Sequence, residues 1–393
     1  MSGHVADGPA DGRIEDAFDI LLVARHPFGG RPPLGDWQMA RALSRDHRVL
    51  YVEPPTVLRP GSLHVGGRRR SPAIRRIDPR LFVVRPVSLP GATRPATAAL
   101  SDRLIARQVT AAADRVLGPA PVMLTFDPLR GPLPSVERSM LVYWRRDRLA
   151  DLTVSPAARW LGERDRELLA AADLVSCTAS TLVEEATRYS AAPVDHLPNG
   201  CDVDHFAAPQ PRPVGVPDGE VVLGFVGGAF WRLDLALVDE VARRRPSWQL
   251  VFVGDADAPL PDHANLHRQP YLAYDHIPAF VQHLDVGLIP YDMSLAFNHG
   301  SFPIKAFEYL AAGVPVVSTM MPALADLSPW VRRAAGADDF IAAVEAALRD
   351  GPEAASCRAV ARDNTWADRA EQLGDRIRAR AGRLGDLAQV HDG

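Results

Sequence analysis

Short apolar, β-branched runs alternate with helical patterns along almost the whole of this 393-residue chain, and the alternation stops once and restarts. Strands are expected at Ile20–Ala24, Arg48–Val52, Leu81–Val84, Val122–Thr125, Met140–Tyr143 and Leu174–Cys177. Helical periodicity fills Asp36–Ser44, Ala96–Leu117, Ala158–Ala171 and Thr181–Tyr189. Residues 207–219 then hold four prolines and two glycines, which neither a helix nor a central strand tolerates, so they read as a linker. Beyond it the pattern resumes: strands at Val221–Val226, Gln249–Val253, Val286–Pro290 and Val314–Ser318, and helices at Leu233–Arg244, Ile277–His283, Pro303–Ala312, Ala337–Leu348 and from Thr365 onward. Such alternation predicts parallel sheets with helices on both faces. The expected organisation is a disordered tail over 1–16, an α/β domain over 17–206, the linker, a second α/β domain over 220–373, and a helix end and tail over 374–393. Ligands of doubly wound sheets sit beyond the carboxyl ends of the strands. Chemistry is therefore expected in the cleft between the two domains.

Composition narrows the class. Lysine plus arginine total 44 against 48 acidic residues, a net charge of −4, and a nucleic-acid binder would carry a basic excess instead. Cys177, Cys201 and Cys357 cannot all pair and none falls in a CxxC, which fits reduced thiols in a cytosol. The polar stretch Met1–Asp16 reads as neither signal peptide nor anchor, and no run reaches the ~18 apolar residues a membrane span needs. Residues 57–80 look irregular. Their arginines, Arg68 to Arg70 and Arg75-Arg76, form either a solvated loop or a contact with an anionic membrane surface or an acidic acceptor.

Lys305 is the only lysine in the chain. A coding bias that replaces lysine by arginine wherever a plain positive charge suffices would spare a lysine whose compact ammonium is needed. Lys305 lies in Asn298-His-Gly-Ser-Phe-Pro-Ile-Lys-Ala-Phe-Glu-Tyr-Leu-Ala-Ala-Gly-Val-Pro-Val-Val317. Pro303 suits a first helical turn and Gly313 a helix end, so the helix is short, ~15 Å. Its start is an anion site. A cation in that turn opposes the helix dipole unless an anion is bound there. Glu308, three residues on, shares its face and could accept two hydroxyl hydrogen bonds from a ribose. The group reads as a clamp for a nucleoside diphosphate.

Pro303-Ile-Lys305-Ala-Phe-Glu308-Tyr-Leu-Ala-Ala-Gly313-Val-Pro315 resembles the segment that binds the sugar donor in GT-B glycosyltransferases, especially family 4. Pro198-Asn-Gly-Cys-Asp-Val-Asp-His-Phe206, Gly224-Phe-Val-Gly-Gly228 and Asn364-Thr-Trp-Ala-Asp-Arg369 resemble further segments of that family in the same order, over about Phe18 to Leu373. The resemblance implies two Rossmann-like domains facing across a cleft. The implied activity is transfer of a sugar from a nucleoside-diphosphate sugar, a co-substrate, to an acceptor hydroxyl, with retention of configuration and neither metal nor cofactor. The reduced thiols place the chain in the cytoplasm, a peripheral membrane contact through the Arg68–Arg76 segment stays one of that segment's two readings, and the acceptor is a small molecule, a lipid-linked precursor or a glycan. The resemblance places the Gly227 and Gly228 backbone, Arg232 and Lys305 at the phosphates, with Glu308 on the ribose. The family often carries a glutamate eight positions before the ribose glutamate; here that position is Gly300, so Asn298 or His299 stands in for its sugar contacts, with Ser301 a further candidate at the donor.

The remaining candidates carry two readings each. Gly29 and Gly30, in Arg25-His-Pro-Phe-Gly-Gly30, either donate backbone N–H groups to acceptor or phosphate or form a plain turn. Asp127, Asp147 and His26 either orient or deprotonate an acceptor hydroxyl or serve caps and salt bridges. Asp202-Val-Asp204 spells a DxD pattern but reads as structural, since spacing alone makes no metal site. His196 and His283 read as framework, and Trp231 and Trp248 as packing. A sugar-nucleotide epimerase and a degenerate nucleotide-sugar binder are the alternatives on the same fold. The chain is far too short for a phosphorylase that would bind pyridoxal on a lysine.

Overall fold

A computed structural model describes residues 17–30, 35–58, 72–91, 94–131, 133–152, 156–228, 230–254 and 258–391. The expected tail over 1–16 and the arginines Arg68 to Arg70 lie outside them.

The first domain holds strands β1 (Asp19–Val23), β2 (Arg48–Val52), β3 (Thr56–Val57), β4 (Ile74–Asp78), β5 (Leu81–Val84), β6 (Val87–Ser88), β7 (Val122–Thr125), β8 (Met140–Arg145), β9 (Leu174–Cys177) and β10 (Val194–His196). Eight of them form one sheet in the order β10-β9-β8-β7-β1-β2-β5-β4, with β3 and β6 paired apart. All pairs in the large sheet are parallel except β4 with β5. The central strands are apolar on both faces because helices cover both.

The second domain holds β11 (Val221–Val226), β12 (Trp248–Val253), β13 (Leu266–Gln269), β14 (Val286–Ile289), β15 (Val316–Thr319) and β16 (Val331–Ala334). They form a wholly parallel sheet in the order β13-β12-β11-β14-β15-β16. The strand order reverses between β7 and β1 in one sheet and between β11 and β14 in the other. Those switch points are where a doubly wound sheet opens a crevice.

Two expectations are corrected. Residues 57–80 are not wholly irregular: Arg75 and Arg76 stand on the antiparallel edge strand β4, where Arg75 pairs with the buried Glu53 at 3.0 Å and Arg76 bonds the Asp78 and Pro79 carbonyls. The last helix does not pack on the second domain alone. The last helix, Trp366–His391, crosses back, and its Trp366, Ala370, Leu373 and Ile377 belong to a core cluster of the first domain. A boundary at 373 would cut that helix. Trp248 is buried as expected, and Trp231, though 42% exposed, packs its ring 5.9 Å from that of Phe297.

The crossing back has a local requirement at Gly200. A Cβ there would sit 2.7 Å from the Trp366 backbone nitrogen, so only glycine lets the two segments touch. Cys201 pairs with Thr365 in an isolated bridge beside it. No helix among the described residues is long and apolar enough to cross a membrane.

Candidate functional site

The β11–β14 switch point opens a pocket of about 250 Å³ against the first domain. Its floor is the glycine turn after β11, Gly227-Gly228. Gly254, at the end of β12, backs that turn with a φ of +149°; a Cβ there would stand 2.2 Å from the Gly227 carbonyl oxygen. Its wall is the helix Lys305–Ala312, two residues shorter at its start than the spacing predicts and ended by left-handed Gly313 as expected. A groove of about 780 Å³ on the hinge side is larger, but its lining combines Arg41, Arg45, Arg80 and Arg362 with Asp78, Asp202 and Asp204 and includes none of the pocket's cations. Size therefore does not choose between them. The pocket is the one at the switch point.

Lys305, Glu308, Arg232, Gly227, Gly228, Ser301 and Asp147 all line the pocket. The Lys305 ammonium donates to the Tyr291 hydroxyl at 2.6 Å and lies over the Phe225 ring, 4.6 Å from its centre. A Cβ on Gly227 would stand 3.0 Å from that nitrogen, so the ammonium rests against the glycine turn. Arg232 is clamped: its Nε donates to Asn298 Oδ1 at 2.8 Å, and its guanidinium lies 4.2 Å over Tyr291 and 4.8 Å over Phe297. Its Nη2 is buried without a partner among the described residues. Burial pushes the Tyr291 phenol up, but Arg232 and Lys305 together outweigh it and leave the group below its usual value.

The Glu308 carboxylate makes no hydrogen bond or ion pair among the described residues. Burial pushes its carboxyl up to about 7, Lys305 partly offsets this, and Asp202 adds to it. A partly buried carboxyl without a partner, one turn from an ammonium, is a vacant acceptor for hydroxyl donors.

Asn298 and His299 sit elsewhere. Asn298 is fully buried, and its amide donates to the Arg232 and Asp292 carbonyls while its oxygen holds Arg232, so its polar atoms serve the protein. His299 is exposed and its Nε2 contacts the Met293 carbonyl at 2.7 Å. Of the two candidate carboxylates only Asp147 reaches the pocket, accepting from Ser301 at 3.1 Å. Asp127 accepts from the Leu129 backbone and closes its own turn, and burial raises its carboxyl. His26 lies with Nδ1 3.0 Å from Asp36, a fully buried carboxylate whose own burial is outweighed by His26 and Arg146. Gly29 has a φ of +71°, and the Gly30 N–H is used within the turn, on Pro27. Neither glycine lines the pocket. Asp202 caps the short helix Val203–Ala207 by accepting from His205.

The domains meet at the loop before the Lys305 helix. Thr181 donates to the His299 carbonyl at 2.8 Å and Asn199 to the Phe302 carbonyl at 2.9 Å, beside the Ser301–Asp147 bond. Sequence reasoning missed Tyr291, Gly254, Arg146, Asn199 and Phe297 as pocket residues. The signal for Tyr291 and Gly254 was available: each lies within two residues of the carboxyl end of a strand, β14 and β12, where ligands of such sheets sit.

Comparison with known proteins places this geometry. The family described as Glycosyl transferases group 1 matches residues 220–378. The structure of WaaG, a glycosyltransferase involved in lipopolysaccharide biosynthesis, superposes with a TM-score of 0.59 over 91% of this chain and 99% of that one, at 16% identity. The fold is GT-B. A further structure, described as trehalose-6-phosphate from E. coli bound with UDP-2-fluoro glucose, superposes with a TM-score of 0.65 over 92% and 99%, at 10% identity. In sequence, the putative teichuronic acid biosynthesis glycosyltransferase TuaH of Bacillus subtilis (strain 168) is 32% identical over 215 residues, 50% of this chain. The match spans 54%, about half, of that relative's length. The group 1 match thus falls on the second domain of this GT-B chain, which supplies most of the residues that line the pocket.

Proposed function

We propose that the protein is a glycosyltransferase of glycan biosynthesis, moving a sugar from a nucleoside-diphosphate sugar to an acceptor hydroxyl. The observation that carries this is one pocket holding a carboxylate without a partner, Glu308, beside two cations with N–H groups to offer, Lys305 and Arg232. The group 1 match over the second domain and the relative named for teichuronic acid biosynthesis support the class. The UDP-2-fluoro glucose in a structural neighbour supports the kind of co-substrate.

In this reading Glu308 accepts from the ribose hydroxyls. Lys305, Arg232 and the Gly227-Gly228 amides meet the diphosphate, whose charge grows as the bond to the sugar breaks. Fixed positive groups aimed at developing charge lower the barrier without reorganising. They also supply the charge a divalent cation would bring, so activity should survive EDTA. Asp147 stands on the opposite wall, placed to orient the acceptor hydroxyl. With retention of configuration, the departing phosphate oxygen takes the acceptor proton and no dedicated protein base is needed. Contact between the domains at 299–303 excludes water from the pocket and limits hydrolysis.

The test is a panel of UDP-, GDP- and dTDP-sugars read first by thermal shift, since a bound ligand stabilises by mass action, and then by product detection with glycan and lipid-linked acceptors. Stabilisation by one base and transfer of its sugar is the expected result. A protein that neither binds nor consumes any of them overturns the proposal.

A further inference from the structure

Two cations stand side by side in the pocket with no carboxylate among the described residues bonded to either, and something else must hold them there. Lys305 and Arg232 both converge on Tyr291, a residue only 2% exposed and two positions past the end of β14. Arg232 stacks on its ring with the guanidinium carbon 4.2 Å from the centre, and Lys305 bonds its hydroxyl at 2.6 Å. The ring itself is anchored from behind. Its backbone carbonyl accepts from Thr319 Oγ1 at 2.7 Å, and its neighbour Asp292 accepts from the Asn298 amide that also grips Arg232. An aromatic face attracts a cation without neutralising it, and a phenol oxygen accepts one N–H without removing the charge. A carboxylate in the same place would bond both cations and compete with any incoming anion. Tyrosine holds them and leaves them available: Arg232 Nη2 has no partner among the described residues, and Lys305 donates only one of its three N–H groups there.

We propose that Tyr291 is the positioning residue of this pocket, its ring seating the Arg232 guanidinium and its hydroxyl fixing the Lys305 ammonium, so that both face an incoming diphosphate already in place. The inference rests on the reading that the pocket takes a nucleoside diphosphate. It adds that selectivity for the diphosphate over the bare nucleoside is set by an uncharged residue. The phenol hydroxyl is the part Lys305 needs and the ring the part Arg232 needs, so the two contributions separate by substitution.

The experiment titrates the full chain with UDP and GDP, and with uridine and guanosine, by calorimetry. Tyr291→Phe keeps the ring and should weaken diphosphate binding about tenfold while leaving nucleoside binding unchanged. Tyr291→Leu should lose more of the diphosphate affinity, again sparing the nucleoside. Lys305→Ala should cost less in the Tyr291→Phe background than in the natural one, because the hydroxyl that positions the ammonium is already gone. A Tyr291→Phe protein that binds the diphosphate as tightly as the natural chain overturns the inference. So does an equal loss for diphosphate and nucleoside, which marks a packing role. Should substitutions at 291 fail to fold, Arg232→Ala and Lys305→Ala read the clamp from its cation side, and the inference is overturned if neither lowers the preference for diphosphate over nucleoside. A natural protein that binds no nucleoside diphosphate fails at the functional reading itself and takes this inference with it. Diphosphate binding that is intact in the natural chain and untouched at 291 fails the inference alone.

Discussion

The Ser301 hydroxyl on the second domain donates to the Asp147 carboxylate on the first at 3.1 Å, across the mouth of the pocket. It ties the loop that precedes the Lys305 helix to the opposite wall and leaves the second Asp147 oxygen without a partner among the described residues, where the proposed acceptor hydroxyl would bond. Asp147→Asn keeps a partner for Ser301 but removes the charge. We expect it to lower kcat/KM for the acceptor roughly tenfold, the scale of a charge-assisted hydrogen bond of about 1.5 kcal/mol, while Ser301→Ala loses less. Steady-state kinetics with varied acceptor checks this. An asparagine variant as active as the natural protein would reduce Asp147 to a tie between domains.

Glu308 makes binding depend on pH. Its carboxyl is raised from 4.5 to about 7. The part of stability linked to it is therefore fully present below about 4.5 and is lost as pH rises through about 7. Ribose hydroxyls need the ionised form as acceptor. Nucleotide affinity should thus fall as pH drops below about 7, approaching tenfold per pH unit. Calorimetry with UDP and GDP between pH 5.5 and 8.5 checks the slope, and Glu308→Gln should bind weakly with that slope gone.

Lys305→Arg keeps the charge and should still raise the diphosphate Kd about tenfold or more. The ammonium fits between the Gly227 turn, the Phe225 ring and the Tyr291 hydroxyl, and a planar guanidinium is wider than that space. Direct titration is the measurement. Unchanged affinity would show that charge alone matters there.

Gly254→Ala should destabilise the second domain without removing a ligand contact. Its Cβ would collide with the Gly227 carbonyl at 2.2 Å, at a φ of +149°. Strained backbone of this kind costs about 1–3 kcal/mol. Denaturant unfolding measures that loss, and a variant as stable as the natural chain would mean the turn shifts without cost.

Asp127→Asn should leave turnover within about twofold and stability at neutral pH no lower. Burial raises the Asp127 carboxyl, so its ionisation opposes folding as pH rises through the raised value. The asparagine oxygen can still accept from Leu129. A hundredfold fall in kcat would restore Asp127 as a base for the acceptor.

Much of the local architecture was legible because it is encoded locally. A strand covered on both faces is a continuous apolar run, as at Leu21–Val23 and Val251–Val253, and the alternation of such runs with helices fixes parallel sheets. Strands at the edges were not legible. Ile74–Asp78 carries two arginines because its outer side faces solvent, and three of the four residues of Leu266–Gln269 are polar for the same reason. The last helix reads as one element in sequence, but nothing in its periodicity says which domain its apolar face covers.

At the site, sequence by itself determined that Lys305 and Glu308 share a helix face and that Gly313 closes it, since three-residue spacing and a left-handed cap are local matters. Tertiary structure alone decided the partners. Asn298 turned out to serve Arg232 from 66 positions away, Asp147 rather than Asp127 came to the pocket through a residue 154 positions on, and Tyr291 drew both cations together. The reason is physical. Side-chain periodicity reports which face of an element is buried, whereas the partner of a polar group depends on which distant elements the sheets bring alongside it.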